Sequence, residues 1–277
     1  MTLYEEFLQE KEYLNNLSPR TIKYLSWMGN RWEAIIGQFP TKQNIKEFMI
    51  KLCQSNLFPN TVNSYARGFN SYLTWLYENE HTAEHLKIKK IKAGVRRPKL
   101  LSEIELRRLI SYKPKTFTQT RIHTIVLLMI DTGVRIDEAL TLKRGDIDYD
   151  NLIISVIGKG NKERVIPISI EFRKILFKYL KSHESGYLFP TREGGKLRHR
   201  SSLTQLKYIC EPMGIDIHWH KLRHTFATMY LRNGGNIIYL KRVLGHTDIR
   251  VTELYIANQT DDLSLTHKKT SLLSKLK

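Results

Sequence analysis

The segment His220-Lys221-Leu222-Arg223-His224 concentrates groups able to handle an anion or a proton. On a helix, positions i, i+3 and i+4 share a face, so His220, Arg223 and His224 point together. Leu222, Phe226, Met229 and Tyr230 then form the buried side. Three chemistries compete for this face. One is a basic surface stripe with a single satisfied histidine. The second is zinc, held by His218, His220 and His224, but no carboxylate or cysteine set stands nearby at a familiar ligand spacing. The third is a phosphate clamp, which uses the fork of the arginine guanidinium rather than charge alone.

Further candidates lie along the chain. In Asp131-Thr132-Gly133-Val134-Arg135-Ile136-Asp137-Glu138, Gly133 breaks one helix and Arg135 begins the next. Glu138, three residues on, can hold that guanidinium, although arginine–glutamate pairs at this spacing are common on surfaces. Leu244-Gly245-His246 ends a helix with glycine at the stop and places His246 just beyond it. Tyr255 follows nine positions after His246 and competes with the plain reading of a core tyrosine, since the chain holds 14 tyrosines.

The elements that must position these groups are mostly helical. Ser18, Pro19 and Gly37 read as N-cap, first helical position and stop, with Leu25, Met28, Trp32 and Ile35 at helical spacing between them. Thr41 caps a helix bearing Ile45, Phe48, Met49 and Leu52. Asn60 is expected to cap another, bearing Tyr65, Phe69, Tyr72, Leu73 and Leu76. An opening helix carries Tyr4, Phe7, Leu8 and Leu14. Together they predict a small helical bundle over residues 1–86. Residues 87–99 are dense in lysine and arginine, with Gly94 and Pro98 as breakers. They read as a basic linker, either a solvated spacer or a strap along a DNA backbone. Residues 100–277 form the second domain, opened by a capping box at Ser102 and Glu105. In it Ile122–Leu142 is mostly helical and broken near Gly133. Leu152–Ile157 and Arg164–Ile168, rich in β-branched residues, form a hairpin whose tip holds Lys159 and Lys162. Helices are expected at 171–182, 201–213, 220–233, 237–244 and 249–257. The fold class is mainly α with a small antiparallel β-sheet.

The 277 residues carry 45 Lys and Arg against 27 Asp and Glu, a formal charge of +18. A surplus this large favours a polyanion partner, with nucleic acid ahead of a membrane surface because no basic amphipathic anchor stands out. The longest apolar run, Ile125–Ile130, is far too short to cross a membrane, and the N-terminus lacks the pattern of a secretory signal. The chain is therefore expected in the cytoplasm. Cys53 and Cys210 lack metal or redox spacing and read as reduced, buried thiols.

The order of the elements is more specific than any one of them. Arginine with glutamate three later, a lysine in a hairpin tip, His-x-x-Arg-His, Leu-Gly-His and a tyrosine nine later resemble the tyrosine recombinase or phage integrase family. The resemblance is to its short Xer-like or transposon and phage integrase members, without an arm-binding domain. It covers about Leu100 to Tyr255 for the catalytic domain. Leu17-Ser18-Pro19-Arg20-Thr21-Ile22 and Asn60-Thr61-Val62-Asn63 extend it to a SAM-like core-binding domain. The resemblance implies that Arg135 and Arg223 grip the scissile phosphate, that His220 and His246 assist, and that Tyr255 is the nucleophile. Lys159, with Lys162 as competitor, would protonate the leaving oxygen. Glu138 and His224 would support the others. It implies a 3′-phosphotyrosine intermediate, no cofactor and no metal, and hence activity in a chelator. Two DNA sites held by a homotetramer, with exchange through a Holliday junction, complete the expectation, and a second recombinase or accessory protein is left open. The leucines of the tail after Tyr255 are expected to dock on a neighbouring protomer. A type IB topoisomerase, a non-catalytic DNA-binding regulator and a metal-dependent nuclease using Asp131, Asp137 and Glu138 are the alternatives.

Overall fold

The computed structural model describes residues 1–37, 39–94, 98–158 and 162–245, with only the backbone described at Ala34 and Ile35. The chain divides into two units, Met1–Arg96 and Arg97–Lys277.

The first unit is four helices: α1 (Leu3–Tyr13), α2 (Pro19–Ile35), α3 (Lys42–Gln54) and α4 (Pro59–Glu78). Side-chain caps start three of them. Thr2 accepts from Glu5 N, Ser18 from Thr21 N and Thr41 from Asn44 N, each satisfying a backbone donor that the helix cannot. The fourth helix begins earlier than expected. Its N-cap is Phe58 and Pro59 takes the first position, so Asn60 already lies inside. The ring's fixed φ, suited to a first turn, outweighed the asparagine signal. Phe7, Trp32, Phe48, Phe69 and Tyr72 meet edge-on or tilted in the core. Leu14, expected on the inner face, caps α1 and is exposed. Cys53 is likewise exposed, against the expectation of burial.

Residues 86–91 do not run free of this unit. Asn70 accepts from Ile88 N at 2.7 Å and donates to Ile88 O at 3.0 Å, and Asn63 does the same for Ile91 at 2.9 and 2.9 Å. Leu86 and Ile88 are buried, while Lys87, Lys89, Lys90 and Lys92 stay exposed.

The second unit opens with α5 (Glu103–Ser111), started by the Ser102–Glu105 capping box, then α6 (Phe117–Thr132) and the single turn α7 (Ile136–Ala139). An antiparallel sheet follows in the order β1 (Ile147–Asp148), β2 (Ile153–Ile157), β3 (Glu163–Pro167), with Ile154 opposite Ile166 and Ile157 opposite Glu163. The two-residue β1 carries too little pattern to be read from sequence. Helices α8 (Ile170–Leu180), α9 (His199–Cys210), α10 (Trp219–Arg232) and α11 (Ile237–Leu244) complete the described part. Buried α6, rich in isoleucine, valine and leucine, packs against α8, α9 and α10 and centres the core. The helix expected at 249–257 lies outside the described residues.

Candidate functional site: an arginine cluster on a helix end

Two glycine-terminated helices create the site. Gly133 ends α6 and Gly245 ends α11, both in the left-handed region at φ 63°. A side chain is strained there in any case. At Gly133 a Cβ would also meet Phe226 Cδ1 at 2.2 Å. The last carbonyls of each helix are left without intrahelical donors, and guanidiniums take them.

Arg223, only 5% exposed on α10, donates to Gly133 O at 2.8 Å and to Leu244 O at 2.6 Å. Arg135, the N-cap of α7, donates to Gly245 O at 3.1 Å. The two arginines are therefore anchored on consecutive carbonyls of one helix end, although 88 residues separate them in sequence (223 minus 135). A third, Arg164 of β3, donates through Nε to Val243 O at 3.0 Å. Cations at a helix C-terminus are favoured by its dipole.

Glu138 holds the cluster together. Its carboxylate accepts from Arg135 Nη1 at 2.9 Å and from the backbone N of Arg135 at 2.9 Å. It also accepts both Nη1 and Nη2 of Arg164, at 2.9 and 2.8 Å. Burial alone would push this carboxyl up, but Arg164 and Arg135 outweigh it and hold it below the usual carboxylate range. The carboxylate is thus an internal counter-ion, with three bonds that aim two guanidiniums and a fourth that holds the backbone of Arg135.

His220 and His224 lie on α10 with ring centroids 6.4 Å apart. Desolvation, then Arg223 and His218, lower His220, so that its imidazole is neutral at neutral pH. Desolvation, then His220 and Arg223, lower His224 to about 4. His220 is exposed and His224 half-buried, whereas Arg223 turns inward rather than joining a solvated stripe. Phe226, Met229 and Tyr230 are only half-buried. With Leu106, Ile130 and Thr225 they line an apolar cavity of about 280 Å³. Helix α10 is also fixed by two bonds: Thr225 Oγ1 accepts from Leu101 N at 2.9 Å, and buried Lys221 donates to Asp216 O at 2.7 Å.

The structure thus brings Arg135, Glu138 and Arg223 to one helix end, with His220 and His224 on the helix that carries Arg223. Lys159, His246 and Tyr255 lie outside the described residues. Their chain neighbours are described: Gly158 N donates to Lys162 O at 2.8 Å at the base of the hairpin tip, and Gly245 directly precedes His246. Sequence reasoning missed Arg164. Strand alternation marks it only as a polar position, and its carboxylate partner lies 26 residues away. A nuclease trio is not assembled: Asp131 accepts from Ser169 N at 2.9 Å, Asp137 is exposed, and Glu138 is committed to arginines. No group of three or more metal-ligating side chains occurs among the described residues, and no described helix is long and apolar enough to cross a membrane.

Residues 99–261 match the Phage integrase family. Over 269 residues the chain is 31% identical to Tyrosine recombinase XerA of Thermococcus kodakarensis, covering 95% of this chain and 93% of that one. Among solved structures, the Tn1549 transposon integrase in complex with a circular intermediate DNA superposes with a TM-score of 0.79 at 16% identity, covering 97% of this chain and 99% of the other. XerH site-specific recombinase bound to a palindromic difH substrate gives 0.76 at 20%, covering 96% and 83%. These two likenesses are of fold: helices around a small three-stranded antiparallel sheet.

Proposed function

The chain belongs to the phage integrase family, and on that premise we propose that it is a site-specific DNA recombinase with Tyr255 as its nucleophile. The observation that carries the reading is the anchoring of Arg135 and Arg223 on the adjacent carbonyls of Gly245 and Leu244. Two guanidiniums so placed suit the non-bridging oxygens of a phosphodiester and the charge that grows on them in the transition state.

The phenol of Tyr255 attacks phosphorus while neutral His220 accepts its proton. The bond to O5′ breaks as Lys159, or its neighbour Lys162, protonates that oxygen. The products are a 3′-phosphotyrosyl enzyme and a 5′ hydroxyl. His246 donates a hydrogen bond to the phosphoryl oxygens. Because the ester conserves the bond, a 5′ hydroxyl from a second duplex reverses the step and joins new strands without a cofactor.

Residues 1–86 act as the core-binding domain, 87–99 as a basic linker whose first residues stay bound to that domain at Ile88 and Ile91, and 100–277 as the catalytic domain with its tail. Four protomers hold two sites and exchange strands through a Holliday junction. The enzyme works in the cytoplasm, where its double-stranded DNA substrate lies.

Covalent trapping tests this. Cross-link-free recovery of protein–DNA adducts from cells should yield a defined set of cut sites, through Tyr255, and in the presence of EDTA. Tyr255→Phe should yield no adduct. An adduct in that variant would remove Tyr255 from its role. A two-site plasmid that gives relaxed circles and no recombinants would instead favour a topoisomerase.

A further inference from the structure

Arg164 occupies a position that its pairing with Glu138 alone does not explain. Its guanidinium forks onto both oxygens of Glu138, whose remaining bonds hold Arg135. Its Nε donates to Val243 O, in the last turn before Gly245 and His246. A Cβ on Gly245 would lie 3.0 Å from Arg164 Cζ, and a Cβ on Gly158 would lie 3.1 Å from Arg164 Nη1. Gly158 directly precedes Lys159, and Gly245 directly precedes His246. One guanidinium, 15% exposed, therefore touches Arg135's counter-ion and lies against the chain on which Lys159 and His246 follow. The two glycines leave it the room.

We propose that Arg164 is a positioning residue for strand cleavage, setting through Glu138 and the end of α11 the alignment of the groups that act on the scissile phosphate. The inference rests on the roles given above to Arg135, Lys159 and His246. A stabilising function alone would not need this geometry, because a buried ion pair contributes little net stability compared with apolar packing of the same volume. What the fork provides is direction: five donors in a fixed plane, which lysine cannot reproduce.

The test uses the full chain and a duplex containing a cut site recovered by covalent trapping. Single-turnover cleavage is compared for wild type, R164K and R164A, on the natural phosphodiester and on a methylphosphonate at the scissile position. The methylphosphonate lacks one charged non-bridging oxygen, so its cleavage depends less on aligned guanidiniums. R164K should cut the phosphodiester about 100-fold more slowly, in the range seen when one aligned donor is lost. On the methylphosphonate the loss should be under about tenfold, with duplex affinity within about twofold of wild type. The double variant E138Q/R164K should be scarcely slower than the worse single variant, as for residues acting in one chain of contacts. Thermal unfolding identifies a misfolded R164A, in which case R164K carries the comparison. Unchanged cleavage by R164K, equal losses on both substrates, or additive losses in the double variant would each overturn the proposal. Tyr255→Phe is the separate control: an adduct there defeats the nucleophile assignment and leaves the Arg164 comparison readable on its own.

Discussion

The two units bury different things. Among the described residues, every buried polar or charged side chain belongs to the second unit, including Arg121, Glu138, Lys221 and Arg223. The first unit's core is aromatic and aliphatic throughout, built on Phe7, Trp32, Phe48, Phe69, Tyr72 and Trp75. Its charges stay outside, where a polyanion can reach them. The second unit accepts the desolvation cost of arginines because carbonyls and one carboxylate satisfy them. On the division of roles proposed above, a unit that only binds can be held by dispersion and apolar burial, while a unit that reacts must hold charge in a fixed direction.

The contrast can be broken most severely from the first unit. Trp32→Ala empties a fully buried site in the ring cluster and should cost about 3–5 kcal/mol of that unit's stability. Calorimetry should show its transition moving while that of the second unit holds; a common shift of both would mean that they unfold together.

Next in size is Glu138→Gln. Removing the charge that Arg135 and Arg164 share should destabilise the second unit by about 3 kcal/mol at neutral pH. The carboxyl is held below its unfolded value, so its contribution is complete above about pH 4.3 and is lost as pH falls through the lower folded value. Chemical denaturation at several pH values should therefore find the gap between variant and wild type narrowing in acid. A gap independent of pH would point to shape rather than charge.

A smaller effect of the same direction belongs to His224. Its folded value of about 4 lies below the ordinary 6.5, so the unfolded chain binds the proton more readily between the two. Stability is complete above about pH 6.5 and falls as pH drops toward about 4. His224→Gln should flatten that part of the curve, and an unchanged slope would rule His224 out as its source.

The smallest effect, confined to the first unit, is on binding. Replacing Lys87, Lys89, Lys90 and Lys92 by glutamine should leave folding unchanged. Each lysine that meets a phosphate should lower the slope of log affinity against log salt by about 0.9. A slope unaltered by all four would take the segment off the DNA.

Local signals carried much of this architecture into the sequence. Ser18, Thr41 and Ser102 announced their helices because capping is decided within four residues. Arg135 and Glu138 announced their pairing because one helical turn separates them. What escaped was decided at long range. Arg164 reads as an ordinary strand residue until α7 and α11 are folded against it, and Lys221 reads as a surface charge until Asp216 and Glu105 enclose it. The register of Asn63 and Asn70 against residues 88 and 91 was likewise invisible, since asparagine on a helix announces nothing about a distant backbone.

That register has a metric consequence. Seven residues of α4 span about 10.5 Å at the helical rise. Three residues of extended chain span about 10 Å. The two amides therefore act as marks on a ruler, and the interval between Ile88 and Ile91 is the one that fits both. Inserting or deleting a single residue there would miss one mark or the other and turn a lysine onto the apolar surface that Ile88 covers. The pitch of a helix thereby sets the spacing of four ammonium groups on a stretch with no regular structure of its own.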